Sequence, residues 1–179
     1  MRRELRRAIA LGAATGAVAL PVAGCGEEEE LDVVEGEPVE LGDLRYNVQI
    51  TRFLNPDDPE DVAYLEGEPE PSAREAYLGV FMTIENEGEE TVDAPASFEV
   101  TDTRGGAFES LEVDNPYALD LGDPIGPDQE LPPPGTPASS GPIKGAMLLF
   151  LVDEGVTENR PLELEIPSPS GDGRVELDI

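Results

Sequence analysis

The sequence predicts an all-β fold, a single sandwich of short strands, on three observations. Hydrophobic residues alternate with polar ones at a period of two, as Leu44, Tyr46, Val48 and Ile50 do with Arg45, Asn47, Gln49 and Thr51. Two runs, residues 77–84 (YLGVFMTI) and 145–152 (GAMLLFLV), are apolar on both faces and read as central strands. After residue 24 no stretch carries the 3.6-residue apolar stripe of an amphipathic helix.

Each element follows from its local pattern. The alternation from Leu44 to Ile50 is a half-buried strand. Residues 55–75 (NPDDPEDVAYLEGEPEPSARE) break all periodicity with prolines and acids, and read as a long, exposed acidic loop that tolerates shortening. The first central strand ends in the turn signal Asn86-Glu87-Gly88. Residues 97–101 (SFEVT) form a strand, residues 102–106 (DTRGG) a turn, and residues 107–113 the returning arm of a hairpin. From Asp114 to Pro142 the chain is rich in Pro, Gly and Asp and carries little strand signal. After the second central strand, Leu162, Leu164 and Ile166 alternate with Glu163 and Glu165. Val175, Leu177 and Ile179 alternate with Glu176 and Asp178. These close the fold with one wet face each. About seven or eight strands result, which suits an immunoglobulin-like sandwich over residues 39–179.

The first 24 residues are of another kind. MRRELRR is cationic, and AIALGAATGAVALPVA is weakly apolar and too short for a membrane span of about 20 residues. A basic start, an apolar middle and small residues at the end make a signal peptide. Its end, LPVAGC, resembles the bacterial lipobox, with Val22, Ala23 and Gly24 before Cys25. That resemblance implies cleavage between Gly24 and Cys25 and a diacylglycerol on the Cys25 sulfur. A thiolate is the natural nucleophile for S-alkylation. Two acyl chains supply the paired signals that stable anchoring requires. Residues 25–38 follow with GEEEELDVVEGEP after the cysteine. Its consecutive glutamates repel one another, so the segment reads as a solvated tether.

Charge narrows the partners. The chain has 40 acidic and 11 basic residues, a net charge of −29. Residues 1–24 hold four of the bases and one acid, so from Cys25 onward 39 acids face 7 bases and the net charge is −32. Such a surface repels phosphate backbones, so nucleic acid is not expected as a partner. The cysteine count is one, so no disulfide staples the core within a chain.

The same inventory narrows the chemistry. Histidine is absent, which removes the Ser-His-Asp triad. With Cys25 acylated, no thiol is left for nucleophilic catalysis. No Gly-rich phosphate cradle precedes a helix. No cofactor and no enzyme activity are expected. Two loops crowd hard oxygen ligands, Asp57, Asp58, Glu60 and Asp61 in one and Asp114, Asn115, Asp120 and Asp123 in the other. Neither has the alternating acids, Gly and terminal Glu of a calcium loop, and both read as solvated, with no metal assigned. Tyr64 and Leu65 stand out as apolar residues within the acidic loop. They are candidate partner contacts, or else they pin the loop to the sandwich.

The order of elements resembles the telokin-like, immunoglobulin-like domain of secreted bacterial proteins and lipoproteins, a family largely of unknown function. The pieces that carry this are YLGVFMTIENEGEETVDAP, SFEVTDTRGGAF, LPPPGTPASSGPIKGAMLLFLVDEG, PLELEI and RVELDI. The resemblance implies fold and not chemistry. The expected function is a lipid-anchored extracytoplasmic module, binding or structural, that contacts another envelope protein. The alternatives are a calcium-stabilised surface adhesion domain and, more remotely, a carboxylate-dependent hydrolase.

Overall fold

The computed structural model describes residues 31–179. Among them lie twelve strands: β1 (Leu31–Val34), β2 (Val39–Leu41), β3 (Leu44–Leu54), β4 (Glu75–Asn86), β5 (Val92–Asp93), β6 (Glu99–Thr101), β7 (Ala107–Leu111), β8 (Pro124–Ile125), β9 (Glu130–Leu131), β10 (Ala146–Asp153), β11 (Leu162–Ile166) and β12 (Gly173–Leu177). One helical turn, α1 (Pro137–Ser140), precedes β10, and a 3₁₀ turn, Val156–Asn159, follows it.

Ten strands form one continuous sheet in the order β1-β12-β11-β6-β7-β10-β4-β3-β2, with β9 also paired to β4. Strand β7 makes the corner. Its first residues pair with β6, and Ser110 and Leu111 pair with β10. The sheet thereby doubles over into two layers and nearly closes on itself. On the open side Glu35 acts as a latch. Its two carboxylate oxygens accept the Thr51 N–H at 3.1 Å and the Asp178 N–H at 3.2 Å, joining β3 to the end of β12. Gly173 of β12 packs against β2 so tightly that a Cβ there would lie 2.9 Å from Leu41 Cδ1.

The space between the layers holds the main core. Leu78, Val80, Met82 and Ile84 of β4 and Leu148 and Phe150 of β10 face Val100, Leu164, Ile166 and Val175 of the other layer. Strands β4 and β10 also bury their opposite faces. Tyr77, Phe81, Met147 and Leu149 form a second cluster with Leu54, Tyr64 and Leu65. This explains why the two central runs are apolar at every position. A sandwich covers one face of each sheet, and here the segment between β3 and β4 covers the other.

Several expectations are corrected. There are twelve strands and not seven or eight. The additional ones are mostly β2, β5, β8 and β9, of two or three residues, too short for a period of two to show. Residues 114–142, read as carrying little strand signal, contain the two-residue strands β8 and β9 and the turn α1. Part of the tether is also structural. Leu31–Val34 pairs in parallel with Gly173–Glu176 as an edge strand, because Val33 and Val34 are β-branched and a ladder of backbone hydrogen bonds is available. Ile50 is 40% exposed although the alternation placed it inside. The register of β3 against β4 shifts between Val48 and Ile50, and this bulge turns Thr51 to the buried side instead.

The turn at Asn86 is a hub. Its side chain is fully buried, donates to the carbonyls of Glu90 and Ile125 at 2.8 Å each, and accepts the Gly88 N–H at 2.9 Å. One amide thus ties the end of β4 to the two-stranded β5-β8 sheet.

Candidate functional site

Gly24 and Cys25 lie outside the described residues. What the fold fixes is where the chain emerging from them enters. Strand β1 starts beside Gly173, at the pole that also carries the Leu41–Leu44 turn and the end of β4. Residues 55–75 connect the far end of β3, Leu54, to the start of β4, Glu75, and so occupy the opposite pole.

That segment is a chain of turns and not a loose insertion. The amide N–H groups of Asp58, Asp61, Tyr64 and Glu68 donate in succession to the carbonyls of Asn55, Asp58, Asp61 and Leu65. Asp61 is buried, and its carboxylate accepts from Arg52 Nη2 at 2.6 Å and from the Asn55 N–H at 2.9 Å. The Tyr64 ring meets Phe81 edge-on, with centroids 5.2 Å apart and planes at 80°, and lies 4.7 Å from the Tyr117 ring. Further along, the Tyr77 hydroxyl donates to the Pro69 carbonyl at 2.8 Å, and the Glu154 N–H donates to the Arg74 carbonyl at 2.8 Å. The expectation of an exposed loop is therefore corrected, because residues of the segment are buried against the outer faces of β4 and β10.

Tyr64 and Leu65 are 4% and 7% exposed and belong to the second cluster, and Leu65 also lines a groove on this segment. Of the two roles considered for them, their burial favours that of pinning the segment to the sandwich. Val62, which the sequence did not single out, is 52% exposed. The signal that distinguishes these residues is spacing within the successive turns, and it is visible only once the turns are known.

Two of the acids weighed for calcium have other partners. Asp61 is committed to Arg52 and Asn55, and Asp58 Oδ1 accepts the Glu60 N–H at 3.0 Å. In the second loop the Asn115 side chain donates to the Tyr64 carbonyl at 2.9 Å and accepts from the N–H groups of Tyr117 and Ala118. Among the described residues no three carboxylates converge on one point.

A groove of about 490 Å³ opens on the 55–75 segment. Its apolar lining includes Pro59, Val62, Leu65, Pro69 and Tyr77, and Glu66, Glu68 and Glu70 line it with negative charge. No base borders it. Two other hollows, of about 530 and 510 Å³, mix the signs: one holds Arg160 with Glu176, the other Lys144 with Glu130. The groove at residues 55–75 is thus chemically distinct from both, since apolar and anionic side chains line it and no base does.

No protein-family model and no curated protein matches the chain. Solved structures do. An uncharacterized β-sandwich protein from Clostridium difficile 630 is 15% identical with a TM-score of 0.54, the match covering 85% of this chain and 97% of that one. The secreted protein MPT63 of Mycobacterium tuberculosis is 13% identical with a TM-score of 0.53, covering 82% and 96%. The fold is a β-sandwich. A proposed lipoprotein of Bacillus subtilis, ycdA, is 12% identical with a TM-score of 0.50, covering 80% of this chain and 38% of its own. At these identities the likeness is one of fold. The described residues are mostly strand with almost no helix, and none of their helices is long and apolar enough to cross a membrane.

Proposed function

We propose that this chain is a lipid-anchored, extracytoplasmic immunoglobulin-like module that contacts another protein of the cell envelope and catalyses no reaction of its own. The observation that carries the reading is the position of Cys25. It ends the LPVAGC motif and stands six residues before Leu31, the first residue of β1. Six residues reach at most about 20 Å. An acyl group on Cys25 would therefore hold the domain close to a bilayer with the β1-entry pole inward and residues 55–75 outward. Two fold neighbours, a secreted protein and a proposed lipoprotein, are compatible with this location. The absence of histidine and of a second cysteine favours contact over catalysis.

Replacing Cys25 with Ser tests the anchor. The variant is expected to leave the membrane fraction for the medium or to accumulate as uncleaved precursor. A Cys25→Ser protein that is still processed and still extracted only with detergent overturns the lipid reading. Crosslinking in intact envelopes, followed by purification of the wild-type chain, tests the contact. Recovery of the chain with no crosslinked protein would overturn that half of the proposal.

A further inference from the structure

The groove on residues 55–75 combines three properties. It is apolar in part, through residues that include the buried Leu65 and the exposed Val62, which is 52% accessible. It is anionic at its walls, through Glu66, Glu68 and Glu70. It is rigidly backed, since Asp61 is fixed by Arg52 and Tyr64 is fixed by Phe81 and Tyr117. Residues 55–75 contain eight acids and one base, Arg74.

We infer that this groove is a docking site for a cationic segment of a partner protein, one that sets an aliphatic side chain against Val62 between flanking Lys or Arg residues. Charge selects the occupant. A second copy of this chain would bring another −32 against the same walls, which disfavours self-association. A peptide with positive flanks instead relieves the repulsion among the three glutamates and is steered to the groove by the field of the whole domain. Preorganisation supports affinity, because the turns that shape the floor are already hydrogen bonded and little ordering cost remains. This inference deepens the proposed contact with an envelope protein and rests on it only for the identity of the partner. The groove itself does not depend on the anchor.

The test uses the purified full-length chain in detergent and a fluorescent alternating lysine–leucine peptide, read by anisotropy at about 0.15 M salt to screen diffuse attraction. Val62→Ser is expected to weaken binding about tenfold, the loss for one buried aliphatic side chain. The triple variant Glu66→Gln, Glu68→Gln, Glu70→Gln is expected to weaken it several-fold and to flatten its salt dependence. Val34→Ser, at another surface position of similar exposure, should leave affinity unchanged. All these side chains are at least partly exposed, so the variants keep the fold, which circular dichroism verifies. Equal binding of a lysine–serine peptide, or Val62→Ser binding like the wild type, would reduce the interaction to diffuse charge and overturn the site. Sedimentation showing a dimer that Val62→Ser dissolves would overturn it in favour of self-association. Cys25→Ser changes partition and not peptide affinity, so failure of the anchor and failure of the groove are read separately.

Discussion

Asp61 Oδ1 lies 2.6 Å from Arg52 Nη2, and this pair ties the first turns of the 55–75 segment to the end of β3. The carboxylate is buried while the guanidinium is about one-third exposed, so water offsets part of the charge on one side only. Its second oxygen satisfies the Asn55 N–H, which makes the pair a backbone anchor as well as an ion pair.

Asp61→Ala is expected to cost about 1–3 kcal/mol, below the loss for a fully buried pair because Arg52 stays partly solvated. Urea denaturation measures it, and protease should cut residues 55–75 faster in the variant. Asp57→Ala, at an exposed acid a few residues away, should stay within about 0.5 kcal/mol. Equal stabilities of the two variants would mean that the pair does not hold the segment.

Tyr64 tests whether the outer cluster is a true second core. Tyr64→Ala removes a ring packed on Phe81 and Tyr117 and is expected to cost about 3–5 kcal/mol, comparable with Phe150→Ala between the layers. Deleting residues 57–72 should lower the melting temperature further, since it also uncovers Leu54 and Leu149. A deletion variant as stable as the parent would show that the outer faces of β4 and β10 need no cover.

The Glu35 latch predicts a local effect. Glu35→Ala removes the acceptor of two backbone N–H groups and should cost about 1–2 kcal/mol. Hydrogen exchange should accelerate at the Thr51 and Asp178 amides. If those two amides exchange at wild-type rates in the variant, the carboxylate is not what closes the open side.

Tyr46 sets an alkaline limit. Burial pushes its phenol up to about 12, while an unfolded tyrosine titrates near about 10. The folded state keeps the proton over that interval, so the stabilisation is complete below pH 10 and is lost as pH rises towards about 12. Burial also raises Tyr64 and Tyr77. Urea midpoints measured across this range should fall with pH, and Tyr46→Phe should fall less steeply. An identical slope in Tyr46→Phe would assign the loss to other groups.

What the sequence determined by itself is the class and the centre of the fold. Two runs apolar on both faces became β4 and β10, and the alternation of Leu162, Leu164 and Ile166 became β11 with the same bounds. Those features are legible because burial selects residue type position by position. The LPVAGC motif is equally local, and it carries the anchor proposal without help from the structure. Only the tertiary structure decided the rest. Ile50 and Thr51 exchanged sides because a bulge shifted the register, a property of β3 and β4 together. Leu31–Val34 became a strand because Gly173–Glu176 offered a partner. Tyr64 turned inward and Val62 outward because successive turns, closed by distant groups such as Arg52 and Asn115, set the direction of each side chain. Short-range pattern records which residues are apolar. Which apolar residue is buried in an irregular segment depends on contacts far away in the chain, and those form only when the sheet has folded.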